Sequence, residues 1–126
     1  MEAAWRFTCL GALPERLARI ARLDPGEHSV VSCFIDAQRW YVMTTARMFG
    51  LARGSQFSCS PLDVTQWRWG DFKHAGRPEV EVATLGLSGG THLRISYETG
   101  AAAMAPIYYE RFWTLKYPIL EKLEQA

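Results

Sequence analysis

The chain is organised around the sequence WYVMTTARMFG at residues 40–50. Two runs of aromatic, β-branched and long apolar side chains meet at the TTAR sequence of residues 44–47. Such runs are typical of paired β-strands, because these side chains pack well on a pleated surface. The stretch therefore predicts a β-hairpin.

Short strand patterns continue on both sides of this hairpin, separated by polar or glycine-containing turns. They lie at residues 27–35, 39–45, 47–52, 64–69, 79–87 and 91–98, with a further short pattern at 56–60. Residues 1–10 predict either a short strand or an apolar arm. Side chains that alternate between two faces indicate antiparallel strands with one face toward a core. The predicted fold class is α+β, mainly β.

The alternation also predicts which side chains of the last two strands face the core. In the first of them, Val80 and Val82 are expected to point inward, and Glu79 and Glu81 outward. In the second, leucine, isoleucine and tyrosine alternate with polar residues, which places Glu98 outward.

Two segments change from the two-residue period of a strand to the period of a helix. The first, at residues 13–23, has an apolar stripe consisting of Leu13, Leu17, Ile20 and Leu23. This stripe predicts a short N-terminal helix. The second follows Pro106 and has an apolar face consisting of Tyr108, Phe112, Leu115, Ile119 and Leu123. It predicts an amphipathic C-terminal helix that caps one end of the sheet and is kinked or split by Pro118.

The composition is that of one folded domain and limits the classes of partner. The 126 residues include five tryptophans, five tyrosines and six phenylalanines, and 14 basic residues face 13 acidic ones. With this even charge we expect no nucleic-acid partner. No apolar run predicts a signal peptide or a transmembrane segment, and the three cysteines are widely spaced. We therefore expect a cytoplasmic protein with no integral membrane segment.

The sequence offers no recognisable pattern for catalysis or metal binding. His28, His74 and His92 have no acidic neighbour at ligand spacing. The serines beside glycines do not form a nucleophile elbow, and the glycine-rich residues 85–90 lack the ending of a phosphate loop. We expect no catalytic residue, no metal and no cofactor.

A group of basic residues is the first candidate binding surface. Arg68, Lys73, His74 and Arg77 are close in sequence and flank a polar, turn-like segment. Positive charge on a loop predicts a site for an anionic head group or an acidic partner. The alternative is an ordinary solvated loop.

A pair of aromatic residues on the C-terminal helix is the second candidate. Tyr109 and Trp113 are four residues apart and lie off the main apolar stripe of that helix. A second apolar stripe predicts an interface, either in a homodimer or with a partner protein. The alternative is that both side chains are buried in the same core.

Four segments resemble bacterial pleckstrin-homology-like domains and, more distantly, the related GRAM domains. They are the N-terminal helix that ends before residues 26–27, the hairpin of residues 40–49, the SPLDVTQW sequence of residues 60–67, and the closing helix. The second is similar to the family's leucine–threonine–x–x–arginine hairpin, and the third to its isoleucine–proline–leucine–x–x–isoleucine strand. The resemblance covers about residues 13–124 of a single domain, residues 1–126. It implies a strongly bent antiparallel sheet, or a partly open barrel of six or seven strands.

The function that the resemblance implies is that of a non-enzymatic module for protein interaction or self-association. The alternative is a barrel that binds a small ligand or a lipid head group, and an enzyme is the least favoured interpretation. In eukaryotic pleckstrin-homology domains, phosphoinositides bind basic residues in the loop between the first two strands. Here that loop, residues 36–39, has one acid and one base, which argues against phosphoinositide binding.

Overall fold

The computed structural model describes residues 5–70, 72 and 79–125, with side chains up to residue 114. Within these residues the protein is mainly β. The strands are β1 Thr8–Leu10, β2 Ser29–Asp36, β3 Arg39–Thr44, β4 Met48–Ala52, β5 Ser55–Cys59, β6 Val64–Arg68, β7 Val80–Leu87 and β8 His92–Glu98. The helices are α1 Glu15–Ala18 and α2 Met104–Gln125, with single 3-10 turns at Pro61–Asp63 and Gly100–Ala103. The predicted class, α+β and mainly β, is confirmed.

The strands form two antiparallel sheets, and the described strands do not close into a barrel. The first sheet has the order β1-β2-β3-β4-β5 and the second the order β6-β7-β8. The predicted hairpin is the pair β3–β4, with Val42 opposite Phe49 and Met43 opposite Met48. The eight strands exceed the expected six or seven, because residues 8–10 form an edge strand on β2.

The centre of the five-stranded sheet is buried on both of its faces. On one face, Tyr41, Met43 and Met48 pack in a common core with Ile95 and Tyr97 of the second sheet. On the other face, Trp40, Val42 and Phe49 form a smaller cluster with Leu17 and Ala21. Burial on both faces explains why β3 is an almost unbroken apolar run instead of an alternating one.

A glycine permits the close approach of β3 and β4. Gly50 has a φ of 157°, and a Cβ at this position would overlap the carbonyl oxygen of Trp40. Only a residue without a side chain fits there, so the glycine that ends the WYVMTTARMFG sequence is required by the hairpin itself.

The N-terminal helix is shorter than predicted. It covers only Glu15–Ala18, and Ile20 is 52% exposed, although Leu17 is fully buried. A single helical turn has little stability of its own. The packing of Leu17 against the sheet therefore decides the local structure, and Ile20 falls outside the contact.

The prediction that Val80 and Val82 of β7 point toward the core is wrong. The buried core residues are Ala83 and Leu85, which pair with Ile95 and Leu93 of β8. Val80 and Val82 lie on the opposite face, because the strand must follow the phase of its partner.

Glu98 was also predicted to point outward, and it is buried. Its carboxylate accepts hydrogen bonds from the backbone N–H groups of Arg6 at 2.7 Å and Phe7 at 2.9 Å, and from the Thr8 hydroxyl at 2.7 Å. Three donors compensate for the loss of water around the carboxylate. Glu98 thus fastens the N-terminal strand to the end of β8.

Helix α2 is one helix from Met104 to Gln125, so the alternative in which Pro118 splits it is wrong. Proline costs the helix one backbone hydrogen bond. The loss of that bond does not end the helix at this position.

An ion pair between the buried Glu27 carboxylate and the half-buried Arg47 holds the hairpin turn to the chain that precedes β2. The Glu27 carboxylate accepts from Arg47 Nε at 2.9 Å and from the Thr44 hydroxyl at 2.5 Å. The Thr44 hydroxyl oxygen in turn accepts hydrogen bonds from the N–H groups of Ala46 and Arg47, each at 3.0 Å.

The Glu27 side chain is only 3% exposed. The hydrogen bond from Arg47 lowers the pKa of Glu27 from 4.5 to about 2, against the opposing effect of burial.

This pKa predicts a specific loss of stability in acid. Because the folded-state pKa is lowered, the contribution of Glu27 is complete above about pH 4.5 and disappears as the pH falls toward 2. The shift corresponds to about 3 kcal/mol, of which about 2 kcal/mol is lost between pH 7 and pH 3. Urea unfolding of wild type and Glu27→Gln at the two pH values should show their free energies converging by about that amount.

The matched control is Glu15→Gln, which removes an exposed carboxylate paired with Arg19 at 2.5 Å. Exposed pairs contribute little, so this variant should stay within about 0.5 kcal/mol of wild type at both pH values. If Glu15→Gln and Glu27→Gln differed from wild type by the same free energy of unfolding at both pH values, the assignment of the acid-dependent stability to Glu27 would be contradicted.

Candidate functional site

An apolar groove lies between helix α2 and the edge of the five-stranded sheet. Its volume is about 730 Å³. The helix contributes Tyr108, Phe112 and Trp113 to its wall, and the sheet contributes Leu10, Val30 and Val31. None of the twelve described residues that line it has a charged side chain. This groove is the candidate functional site.

The exposed apolar side chains of the described residues are concentrated at this groove. Six large hydrophobic residues are exposed, and four of them line it: Leu10, Val30, Tyr108 and Phe112. The other two, Ile20 and Leu62, lie elsewhere. Scattered exposed apolar residues are normal, but a contiguous group in a concavity is typical of a binding surface.

An irregularity in β2 brings two neighbouring residues to the groove. Consecutive residues of a regular strand point to opposite faces, yet both Val30 and Val31 line the groove. The register shifts between Ser29, opposite Thr44, and Val31, opposite Met43, which leaves Val30 as an extra residue. Such a bulge redirects a side chain, and it widens the apolar wall here.

In the described part of α2, the stripe that faces the core is the one next to the predicted stripe. Tyr109 is 5% exposed and belongs to the core, and Trp113 packs against it. Tyr108 and Phe112, expected in the core, are 66% and 55% exposed. The expectation that Tyr109 and Trp113 form an exposed interface is therefore wrong for Tyr109, which is buried in its own chain. Both still line the groove, as part of its inner wall.

The Tyr109 hydroxyl fixes this orientation of the helix. It donates a hydrogen bond of 2.7 Å to the carbonyl oxygen of Thr44 in the hairpin turn. Burial raises the pKa of Tyr109 above its ordinary value, and a hydrogen bond with Trp113 opposes this effect. The hydroxyl therefore stays protonated and remains a donor at physiological pH.

The predicted basic loop is described only at its start. Arg68 is exposed at the end of β6. With its amide oxygen facing the guanidinium group, Gln66 accepts from Arg68 Nε at 3.2 Å and Nη2 at 3.0 Å. Lys73, His74 and Arg77 lie outside the described residues, so the anion site stays a prediction.

The cysteines are three free thiols, of which Cys33 is buried and Cys9 and Cys59 are half-buried. Burial raises the pKa of Cys33 to about 12 and that of Cys59 to about 11. Both are protonated at neutral pH, and a protonated thiol is a poor nucleophile and metal ligand. Among the described residues, no three histidine, cysteine or acidic side chains lie close enough together to hold a metal ion.

Comparison of the chain with protein-family models, with curated proteins and with solved structures gives no match in any of the three. No helix of the described residues has both the length and the apolarity that crossing a bilayer requires.

The orientation of α2 predicts unequal effects of two conservative substitutions. Tyr109→Phe removes the donor to the Thr44 carbonyl and should lower the free energy of unfolding by about 1–2 kcal/mol. Tyr108→Phe removes an exposed hydroxyl from the next residue and should change it by less than about 0.5 kcal/mol. Urea unfolding followed by tryptophan fluorescence measures both. A larger effect at Tyr108 would mean that α2 packs on its other face.

Proposed function

We propose that the protein is a non-enzymatic interaction module of the pleckstrin-homology-like kind, and that its apolar groove binds a segment of a partner polypeptide. The order of elements supports this class: a short helix, a run of antiparallel strands beginning at β2, and a closing helix. The resemblance of residues 40–49 and 60–67 to that family points in the same direction.

The observation that carries the proposal is the position of the exposed apolar residues. Tyr108 and Phe112 are on the outer half of α2, and Leu10 and Val30 face them across the groove. Keeping four large apolar side chains in water costs free energy, and covering them with a partner recovers it. Aromatic residues in a concavity are the usual anchors of protein interfaces.

A second candidate function is the binding of a small apolar molecule in the same groove. The volume of about 730 Å³ favours it, because ligand sites of proteins commonly measure about 300–1,000 Å³. The lining gives such a molecule apolar contact but no charged group to orient it.

Selection from a random library of twelve-residue peptides displayed on phage tests the leading proposal. We expect wild-type protein to enrich peptides rich in apolar residues, with micromolar affinity when the peptides are synthesised. Tyr108→Ser combined with Phe112→Ser should weaken binding at least tenfold, because each serine removes an aromatic anchor.

The matched control is Ile20→Ser combined with Leu62→Ser, which removes two equally exposed apolar residues away from the groove. The affinity of this double variant for the selected peptides should equal that of wild type. Failure to enrich any peptide, or equal losses in the two double variants, would refute peptide binding in the groove.

Native mass spectrometry of the protein purified from its expression host distinguishes a small ligand from a second copy of the chain as the occupant of the groove. A reproducible adduct of lipid or metabolite mass, absent from Tyr108→Ser/Phe112→Ser, would favour the small-ligand function. A dimer lost in the same variant would mean that a second copy covers the groove. A monomer without adduct leaves the groove open for the selected peptides.

A further inference from the structure

We infer that the partner segment binds in extended form, as an additional β-strand on the free edge of β1, with alternate apolar side chains in the groove. This inference rests on the proposed function and specifies the partner's conformation and chemistry. Addition of a strand to a sheet edge is an established mode of peptide recognition, in which the backbone provides affinity and alternate side chains provide specificity.

The first argument is the outer edge of β1, with which no described strand pairs. In the sheet order, β1 is the outermost strand and β2 its neighbour among the described strands. Phe34 N–H donates to the Phe7 carbonyl at 3.0 Å, and Gly11 N–H donates to the Val30 carbonyl at 2.9 Å. In an antiparallel ladder, alternate residues turn their backbone groups to the same neighbour. The Phe7 carbonyl and the backbone groups of residues 9 and 11 thus face β2, and Thr8 and Leu10 turn their N–H and C=O groups to the opposite edge.

The second argument is that this edge and the groove share one residue. Leu10 pairs with Val31, so their side chains lie on the same face of the sheet. Both line the groove, and Phe112 of α2 is on its other side. A strand added beside β1 therefore turns every second side chain to the face of the sheet on which Leu10 lines the groove.

The third argument concerns three hydroxyl groups of the groove, those of Tyr109, Thr44 and Thr45. The Tyr109 hydroxyl is already bonded to the Thr44 carbonyl, and the Thr44 hydroxyl to Glu27. The Thr45 hydroxyl accepts from the N–H of His28 at 3.1 Å. The edge of β1 adds backbone donors and acceptors at strand spacing, which a second polypeptide backbone matches. Since the lining is uncharged, we expect uncharged apolar residues at the inward positions of the segment.

The fourth argument is the exposed apolar area of the described groove residues. The exposed portions of Leu10, Val30, Tyr108 and Phe112 amount to on the order of 400 Å². Each partner of a standard interface between folded proteins buries about 800 Å². A single extended segment, which gains backbone hydrogen bonds in addition to apolar contact, fits the smaller surface.

The experiment uses a dodecapeptide selected as above, whose binding to wild type is lost in Tyr108→Ser/Phe112→Ser. Two versions are synthesised, one with N-methyl groups on its even-numbered residues and one on its odd-numbered residues. In a strand, alternate N–H groups face the same way, so one version should lose at least tenfold in affinity and the other much less. Equal affinities of the two versions would overturn strand addition.

Amide hydrogen exchange of the protein gives a second, independent measurement. Saturation with the peptide should slow exchange of the Thr8 and Leu10 amides at least tenfold, since they become bonded to the new strand. The Cys9 amide faces β2 in both states and serves as the internal control. Unchanged exchange at both Thr8 and Leu10 would refute the inference without any mutation.

A pair of variants completes the test. Leu10→Pro removes the N–H that faces the free edge and leaves the ladder to β2 intact, whereas Leu10→Ala shortens the side chain and keeps the N–H. The proline variant should bind the peptide several-fold more weakly than the alanine variant.

If no peptide is enriched at all, the proposed function fails. If a groove-dependent peptide binds with no difference between the methylated versions, only strand addition fails.

Discussion

The structure depends most on the cluster at the hairpin turn, where Thr44 joins three parts of the chain. Its hydroxyl donates to the buried Glu27 carboxylate, which also binds Arg47, and its carbonyl accepts from Tyr109 of helix α2. The segment before β2, the β3–β4 turn and the C-terminal helix are thereby fixed to one residue. Arg47 adds a hydrogen bond of 2.8 Å to the carbonyl of Arg22. Removing one partner would leave a buried charge or carbonyl unsatisfied, and this makes the cluster more important than its number of bonds suggests.

The groove follows from this constraint. Because the Tyr109 hydroxyl must reach Thr44, the helix turns Tyr109 inward, and Tyr108 and Phe112 consequently point away from the core. The bulge at Val30 then turns a second valine of β2 toward them. The exposed aromatic wall is thus a consequence of how the helix is anchored, and it lies beside a strand edge that the described sheet leaves unpaired. A surface built in this way is apolar and accessible at the same time.

Much of the architecture could be predicted from the sequence, because it depends on local patterns. The hairpin, the order of the strands and the closing helix all follow from periodicity and turn residues. The orientation of α2 could not be predicted, since Tyr108 with Phe112 and Tyr109 with Trp113 are two stripes of the same spacing. The structure turns Tyr109 into the core, where its hydroxyl donates a hydrogen bond to the carbonyl of a residue 65 positions away. Glu98 and Val80 were misplaced for the same reason: their environment is set by β1 and β8, not by their neighbours in sequence.

The polar groups around the groove determine which hydrogen bonds a ligand could form there. The hydroxyl groups of Thr44, Thr45 and Tyr109 already form hydrogen bonds within the chain, which leaves the exposed Tyr108 hydroxyl for a ligand. Apolar contact alone gives affinity without direction. Direction must then come from an ordered row of donors and acceptors, and the outward-facing backbone of β1 is such a row beside the groove. A polypeptide in extended form satisfies both requirements at once, because its backbone pairs with the edge and every second side chain enters the groove.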